Sequence, residues 1–217
     1  MTYEELIAIL GERGLALDDK QIESFRVYAT LLREWNQKMN LTSIVEESEV
    51  IEKHFLDSLL IGKGYNLHNR DILDVGSGAG FPGMALAIAY PDSRITLLDA
   101  TKKKFVFLEE AKNRLGLNNV RFLVGRVEEQ REKREKFDVV VSRGFSNIRV
   151  YVEVGAPLLR ISGTLIAMKG PNGEAELKEA ADIIKKVSLR LRNKTEDTLP
   201  NGDKRINYFF AKDAPTP

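Results

Sequence analysis

The chain has 217 residues, with 33 Lys and Arg against 32 Asp and Glu, two His, no Cys and 43% hydrophobic residues. That length supports a full hydrophobic core, and the absence of Cys excludes disulfides, iron–sulfur clusters, cysteine zinc sites and cysteine nucleophiles. No metal site is expected from two histidines far apart in sequence, and a net charge of +1 leaves any nucleic-acid contact to a local basic patch.

The start, Met-Thr-Tyr-Glu-Glu, is acidic where a signal peptide is basic, and no run approaches the roughly 18 apolar residues of a membrane span. A soluble, cytoplasmic protein is expected. Residues 1–64 read as helical. Thr2 and Glu5 form a capping-box pattern, and Gly11 and Gly14 close that helix. Asp18 and Gln21 open a second, in which Ile22, Phe25, Ala29, Leu32, Trp35 and Met39 make one apolar stripe. Asn40-Leu-Thr-Ser43 is a polar turn. A third helix begins near Ser48, carries Ile51, Phe55 and Leu59 on one face, and stops around Gly62 and Gly64.

From residue 65 onward, strand and helix patterns alternate, which marks a second unit, 65–217. Apolar strands are predicted at Asp71–Gly76, Arg94–Ala100, Val120–Val124, Phe137–Ser142 and Gly163–Met168, separated by helices at Pro82–Tyr90, Lys102–Gly116 and Ile148–Leu159. This is an α/β pattern with a mostly parallel sheet covered on both faces. A helix over Glu174–Lys186 follows. Then Val187–Thr198, the turn Pro200-Asn-Gly-Asp and Arg205–Ala211 form an antiparallel hairpin.

The first strand runs into Asp74-Val-Gly-Ser-Gly-Ala-Gly-Phe-Pro-Gly83. Gly76, Gly78 and Gly80 permit a tight turn and close ligand approach, and Pro82 suits a helix start. A ligand over this loop lies at the carboxyl ends of the strands. Gly78, Gly80 and Gly83 also satisfy G-x-G-x-x-G, so a nicotinamide oxidoreductase is one reading. However, Asp74 just before the turn would repel a pyrophosphate, while it suits the ammonium and sulfonium of S-adenosylmethionine. Asp99, ending the second strand, is placed to accept hydrogen bonds from ribose hydroxyls. With the terminal hairpin, these acids describe a class I methyltransferase. A non-catalytic RNA-binding module retaining the cofactor fold is the third reading.

The motifs Asn40-Leu-Thr, His54-Phe-Leu-Asp-Ser58, the glycine run, Arg126-Val-Glu128, Ser142-Arg-Gly-Phe145 and Met168-Lys-Gly170 occur in order along nearly the whole chain. In this set the chain resembles the RsmG (GidB) small-subunit ribosomal RNA methyltransferases. The resemblance implies methyl transfer from S-adenosylmethionine to N7 of one guanine, at position 527 of bacterial 16S ribosomal RNA, either as RNA or in the small subunit. It places cofactor contacts at Gly76, Phe81, Asp99, Val127, Glu128 and Arg143. Gly144 departs from the Ala of many members.

Guanine N7 carries its own lone pair, so such a reaction needs positioning rather than a general base. Arg143 is expected to position, and Phe145, Lys169, Lys102 and Lys103 are candidate RNA contacts. Trp35 is read as core, His54 as a structural hydrogen-bonding residue, and Arg131–Lys136 as a surface run.

Overall fold

The structure, a computed structural model, describes residues 1–216 with every side chain except that of Arg131. Two capping boxes open the chain. Thr2 and Glu5 cap α1 (Tyr3–Glu12), and Asp18 and Gln21 cap α2 (Asp19–Asn36). The third helical stretch is irregular. It begins as α3 (Glu47–Val50), widens into a π-helical segment (Ile51–Leu56), and ends through α4 (Asp57–Leu59) and a 3-10 turn (Leu60–Lys63).

Seven strands form one sheet in the order β3-β2-β1-β4-β5-β7-β6. They are β1 (Asp71–Val75), β2 (Arg94–Asp99), β3 (Val120–Val124), β4 (Phe137–Arg143), β5 (Leu159–Lys169), β6 (Leu189–Thr198) and β7 (Lys204–Lys212). The first five pair in parallel, and β7 enters antiparallel between β5 and β6. Helices α5 (Gly83–Ala89), α6 (Lys102–Leu115), α7 (Ile148–Gly155), α8 (Gly173–Glu179) and α9 (Ala181–Lys186) cover the two faces.

Strand alternation sorts the interior. Ile72, Ile95, Leu97, Val139, Val141, Ile166 and Phe209 pack with the N-terminal helices, α5 and α6 in one core. Leu73, Val75, Leu98, Val140, Leu165, Ala167, Tyr208 and Phe210 pack with α7, α8 and α9 in another. The N-terminal helices therefore share an uninterrupted apolar core with one face of the sheet.

Three local expectations change. Pro82 stands just before α5 rather than as its first residue, joined to Phe81 by a cis peptide; Gly83 leads the helix and gives its N–H to Asp74. β5 starts at Leu159, because Ser162 at φ 67° and Gly163 let the strand bend against Asp138; a Cβ on Gly163 would stand 2.8 Å from the Asp138 carbonyl oxygen. The helix expected over Glu174–Lys186 breaks at the buried Ala180 into α8 and α9.

Candidate active site

The glycine loop is stitched to the end of β2. Gly76 and Ser77 donate N–H bonds to Leu98 O, and Gly78 donates to Asp99 Oδ2 at 2.9 Å. Asp99 Oδ1 accepts from the Thr101 N–H at 2.8 Å, and Lys104 approaches Oδ2 at 3.3 Å. Burial raises this carboxyl, but the bonds from Thr101 and Gly78, with Lys104, outweigh it and hold Asp99 below the ordinary carboxylate range. It is therefore an anion at neutral pH, able to accept hydrogen bonds. Gly78 has φ 56°, and the direction of its missing Cβ opens on space, with Gly76 O the nearest atom at 3.9 Å. This is the open cradle of the loop.

Asp74 sits beneath the loop rather than on it. Strand alternation turns it toward α5, where it is fully buried and Oδ2 accepts the Gly83 N–H at 2.8 Å. Its Oδ1 has no hydrogen-bond partner among the described residues. Burial pushes its pKa up to about 7, partly opposed by the Gly83 N–H and Arg143, with Asp99 adding to the rise. The expectation that Asp74 faces a ligand cation directly is thus replaced by a supporting position under the turn.

Val127 and Glu128 lie on a 3-10 turn (Val127–Glu129) that follows β3 and is brought beside β2 by a Gly125 N–H bond to Asp99 O. Val127 is buried against the Leu98 side of the sheet, while Glu128 is exposed with Arg126 3.6 Å away. Phe81 is nearly enclosed. It stacks on His54 with ring centroids 4.3 Å apart and an interplanar angle of 10°. The exposed Phe145 ring lies over Gly76, where an added Cβ would come within 2.8 Å of Phe145 Cδ2.

Arg143 is the last residue of β4, and alternation points it toward the N-terminal helices. Its Nη1 donates to Lys53 O at 2.9 Å and to Asp57 Oδ2 at 3.1 Å, and its Nη2 donates to His54 Nδ1 at 3.0 Å. The π-helical turn contributes directly. The Asp57 N–H reaches back to Glu52 O, and Lys53 O accepts from Arg143. Because His54 Nδ1 accepts, its Nε2 carries the proton and donates to Thr42 Oγ1 at 3.0 Å. Burial, then the Arg143 charge, lowers His54 to about 3, so it is a neutral structural group, as read from the sequence. Thr42 is fixed in turn, since Asn36 Oδ1 accepts its N–H and its own Oγ1 accepts that of Ile44.

The second oxygen of Asp57 faces Arg205 Nε of β7 at 3.1 Å. Asp57, with only 5% of its side chain exposed, thus bridges two arginines. Around them opens a cavity of about 490 Å³ lined by His54, Asp57, Arg143, Gly144, Met168 and Arg205. Asp57 is read from the sequence only as part of the His54–Ser58 motif, with no role of its own, and Arg205 is not singled out at all, although the odd-numbered positions of β7 place Arg205 on the face of Phe209. Tyr28, which flanks the stripe read on α2, was also missed; its hydroxyl donates to Ala79 O in the glycine loop at 2.6 Å.

Lys169 behaves differently from expectation. Alternation turns it to the opposite face, where its ammonium meets Glu176 at 2.8 Å and bonds to Ser146 O, leaving 12% of the side chain exposed. Lys102 and Lys103 are exposed on the first turn of α6, while Lys104 is the one that turns to Asp99.

The sheet order, the terminal antiparallel strands and a glycine turn stitched to an ionised acid at the end of β2 define a class I methyltransferase that uses S-adenosylmethionine. An O-methyltransferase from Bacillus cereus in complex with SAH shares this fold at a TM-score of 0.61 and 16% identity, over 86% of this chain and 91% of that one. The chain belongs to the rRNA small subunit methyltransferase G family (GidB), which it matches over residues 21–198. Proteins named ribosomal RNA small subunit methyltransferase G from Lachnoclostridium phytofermentans and Streptococcus gordonii are 44% and 36% identical to it. The first match covers 89% of this chain and 82% of the relative, and the second 100% and 94%. It is an enzyme of RNA methylation, and neither the oxidoreductase nor the non-catalytic reading is favoured. No helix of the described residues is long and apolar enough to cross a membrane.

Proposed function

We propose that the protein transfers a methyl group from S-adenosylmethionine to N7 of a guanine in 16S ribosomal RNA of the bacterial small subunit, guanine 527 by resemblance, and that it works in the cytoplasm. Gly76, Gly78, Asp99, Val127 and Glu128 hold the donor, which supplies an electrophilic methyl when bound. Residues 1–64 form a helical unit that walls the acceptor pocket, and 65–217 form the methyltransferase unit.

One observation carries the choice of acceptor: every acid–base side chain lining the pocket is already committed. His54 is neutral and bonded through both ring nitrogens, Asp57 lies between Arg143 and Arg205, and Asp203 faces Arg205 at 3.4 Å. Lys53 is paired with Glu49 at 2.5 Å, and Lys169, which also lines the cavity, with Glu176 at 2.8 Å. A pocket without a free base suits a nucleophile that needs none, and guanine N7 is one. Arg143 and Arg205 present donors for guanine O6 or a phosphate. Lys102 and Lys103 occupy a helix N-terminus, where the dipole disfavours cations, so an RNA phosphate there relieves the repulsion.

The test is transfer of a tritiated methyl to small-subunit RNA or isolated subunits, followed by mass spectrometry of the nucleosides. The expected product is 7-methylguanosine; a methyl on ribose or on a base carbon would overturn this reading.

A further inference from the structure

Tyr28 lies in the middle of α2, in the N-terminal helical segment, and is fully buried. Its ring packs against Phe81, Phe55 and Phe107 at centroid distances of 5.4, 6.0 and 6.0 Å. Its hydroxyl crosses to the glycine loop and gives Ala79 O a bond of 2.6 Å. Ala79 stands between Gly78, whose N–H is held by Asp99, and Gly80. The loop is thus pinned on two sides, by the β2 carboxylate and by a hydroxyl from outside the nucleotide-binding fold.

Gly80 shows how closely the two are fitted. At φ 92°, a Cβ there would lie 2.4 Å from Tyr28 Oη. The third glycine of the turn therefore makes room for this tyrosine, whereas Gly78 faces the open cradle. Burial, reinforced by Asp74, holds the phenol far above its ordinary value, so it remains a donor at every working pH.

We propose that Tyr28 is a positioning residue for the methyl donor: by fixing the Ala79 carbonyl it holds the glycine turn in its cofactor-binding shape, so that the N-terminal segment helps to set donor affinity. The inference rests on the glycine loop being the donor site. It separates two duties of that segment, since Tyr28 acts on the donor loop while His54, stacked on the same Phe81 ring, acts on Arg143.

The test is Tyr28→Phe in the full chain, which keeps the ring packing and removes only the donor. Steady-state transfer with varied S-adenosylmethionine, together with calorimetry using S-adenosylhomocysteine, should show donor KM and product Kd rising about 3- to 10-fold. The kcat at saturating donor and RNA should stay within about twofold, because no reacting atom is touched. A merely structural hydroxyl would lower the unfolding midpoint and leave donor KM alone; that outcome, in a variant shown to be folded, overturns the proposal. Asp99→Ala is measured in parallel. If it weakens S-adenosylhomocysteine and Tyr28→Phe does not, only the positioning role fails. If neither weakens it, the glycine loop is not the donor site and both readings fall.

Discussion

The glycine loop, proposed to hold the donor, and the pocket proposed for the acceptor sit side by side at the carboxyl edge of one sheet, yet they are assembled differently. The loop is largely local. Residues 76–83 fold back on Asp74 and on the end of the next strand, and two carboxylates take up its N–H groups. The pocket joins groups from four distant places in the chain: His54 in the π-helical segment with Asp57 at the start of α4 just after it, Arg143 ending β4, Met168 in β5 and Arg205 in β7. Apart from the Tyr28 hydroxyl on Ala79 O, the loop's hydrogen-bond partners are tied to it by short chain segments, so it tolerates much of the change that the rest of the fold can undergo. The pocket depends on helix-to-sheet docking, and Asp57 is where that docking is concentrated.

The sharpest way to break the contrast is Asp57→Ala, which leaves Arg143 and Arg205 without their shared anion. Removing one partner of a buried ion pair costs about 3 kcal/mol or more. The variant should lose that much in denaturant unfolding and lose methyl transfer, while its S-adenosylhomocysteine affinity, measured below the melting range, holds. Equal loss of donor affinity would show that the two sites are not separable.

Arg143→Ala comes next. The fold should survive, since β4 remains paired with β1 and β5, but single-turnover transfer should slow by about 100-fold because the acceptor is misplaced. Arg143→Lys should rescue poorly. A point-like ammonium cannot reach Lys53 O, Asp57 and His54 Nδ1 with the planar fork that now spans them. A lysine variant at the wild-type rate would mean that charge alone is required.

A pH series sharpens the comparison, because His54 in the pocket and Asp74 under the loop are shifted so that they act on stability with opposite sign. His54 in the pocket is held at about 3, while unfolded His binds its proton below about 6.5. Its contribution is present above that value and is lost as pH falls toward 3. Asp74 under the loop is held at about 7 against an unfolded value near 4, so its contribution is present at low pH and is lost as pH rises through 7. Between about 4 and 6.5 the two slopes oppose each other. Asp74→Asn should therefore tilt urea-unfolding stability upward with pH relative to wild type, by up to about 1.4 kcal/mol per pH unit, and His54→Asn should tilt it downward. Parallel pH profiles in all three proteins would show that neither group is perturbed by the fold.

The smallest effect belongs to the rim. Replacing both Lys102 and Lys103 by Ala should weaken RNA binding by about 2- to 10-fold and reduce its salt dependence by roughly one unit of slope for each phosphate no longer neutralised. An unchanged salt dependence would leave the two lysines as an ordinary solvated helix start.

What the chain determined by itself was whatever depends on short-range pattern. The capping boxes at Thr2 and Asp18, the strand–helix alternation, the glycine turn and the acids at Asp74 and Asp99 all follow from spacing of a few residues. Even the tail's reversal into an antiparallel pair was legible, because its turn is too short for a crossover. Side-chain direction was not. Period-two alternation places Asp74, Asp99, Arg143 and Arg205 on the face of the N-terminal helices and Lys169 on the other, but reading it required strand ends and register. The register shift near Phe137 and the bend at Ser162 show that these depend on packing. Tertiary structure alone decided that Asp74 lies under the loop, that Lys169 is taken by Glu176, and that Asp57 gathers two arginines. The physical reason is that a buried charge must find its partner in space, and neither the Asp57–Arg205 pair nor the Tyr28–Ala79 bond is encoded by any spacing along the chain.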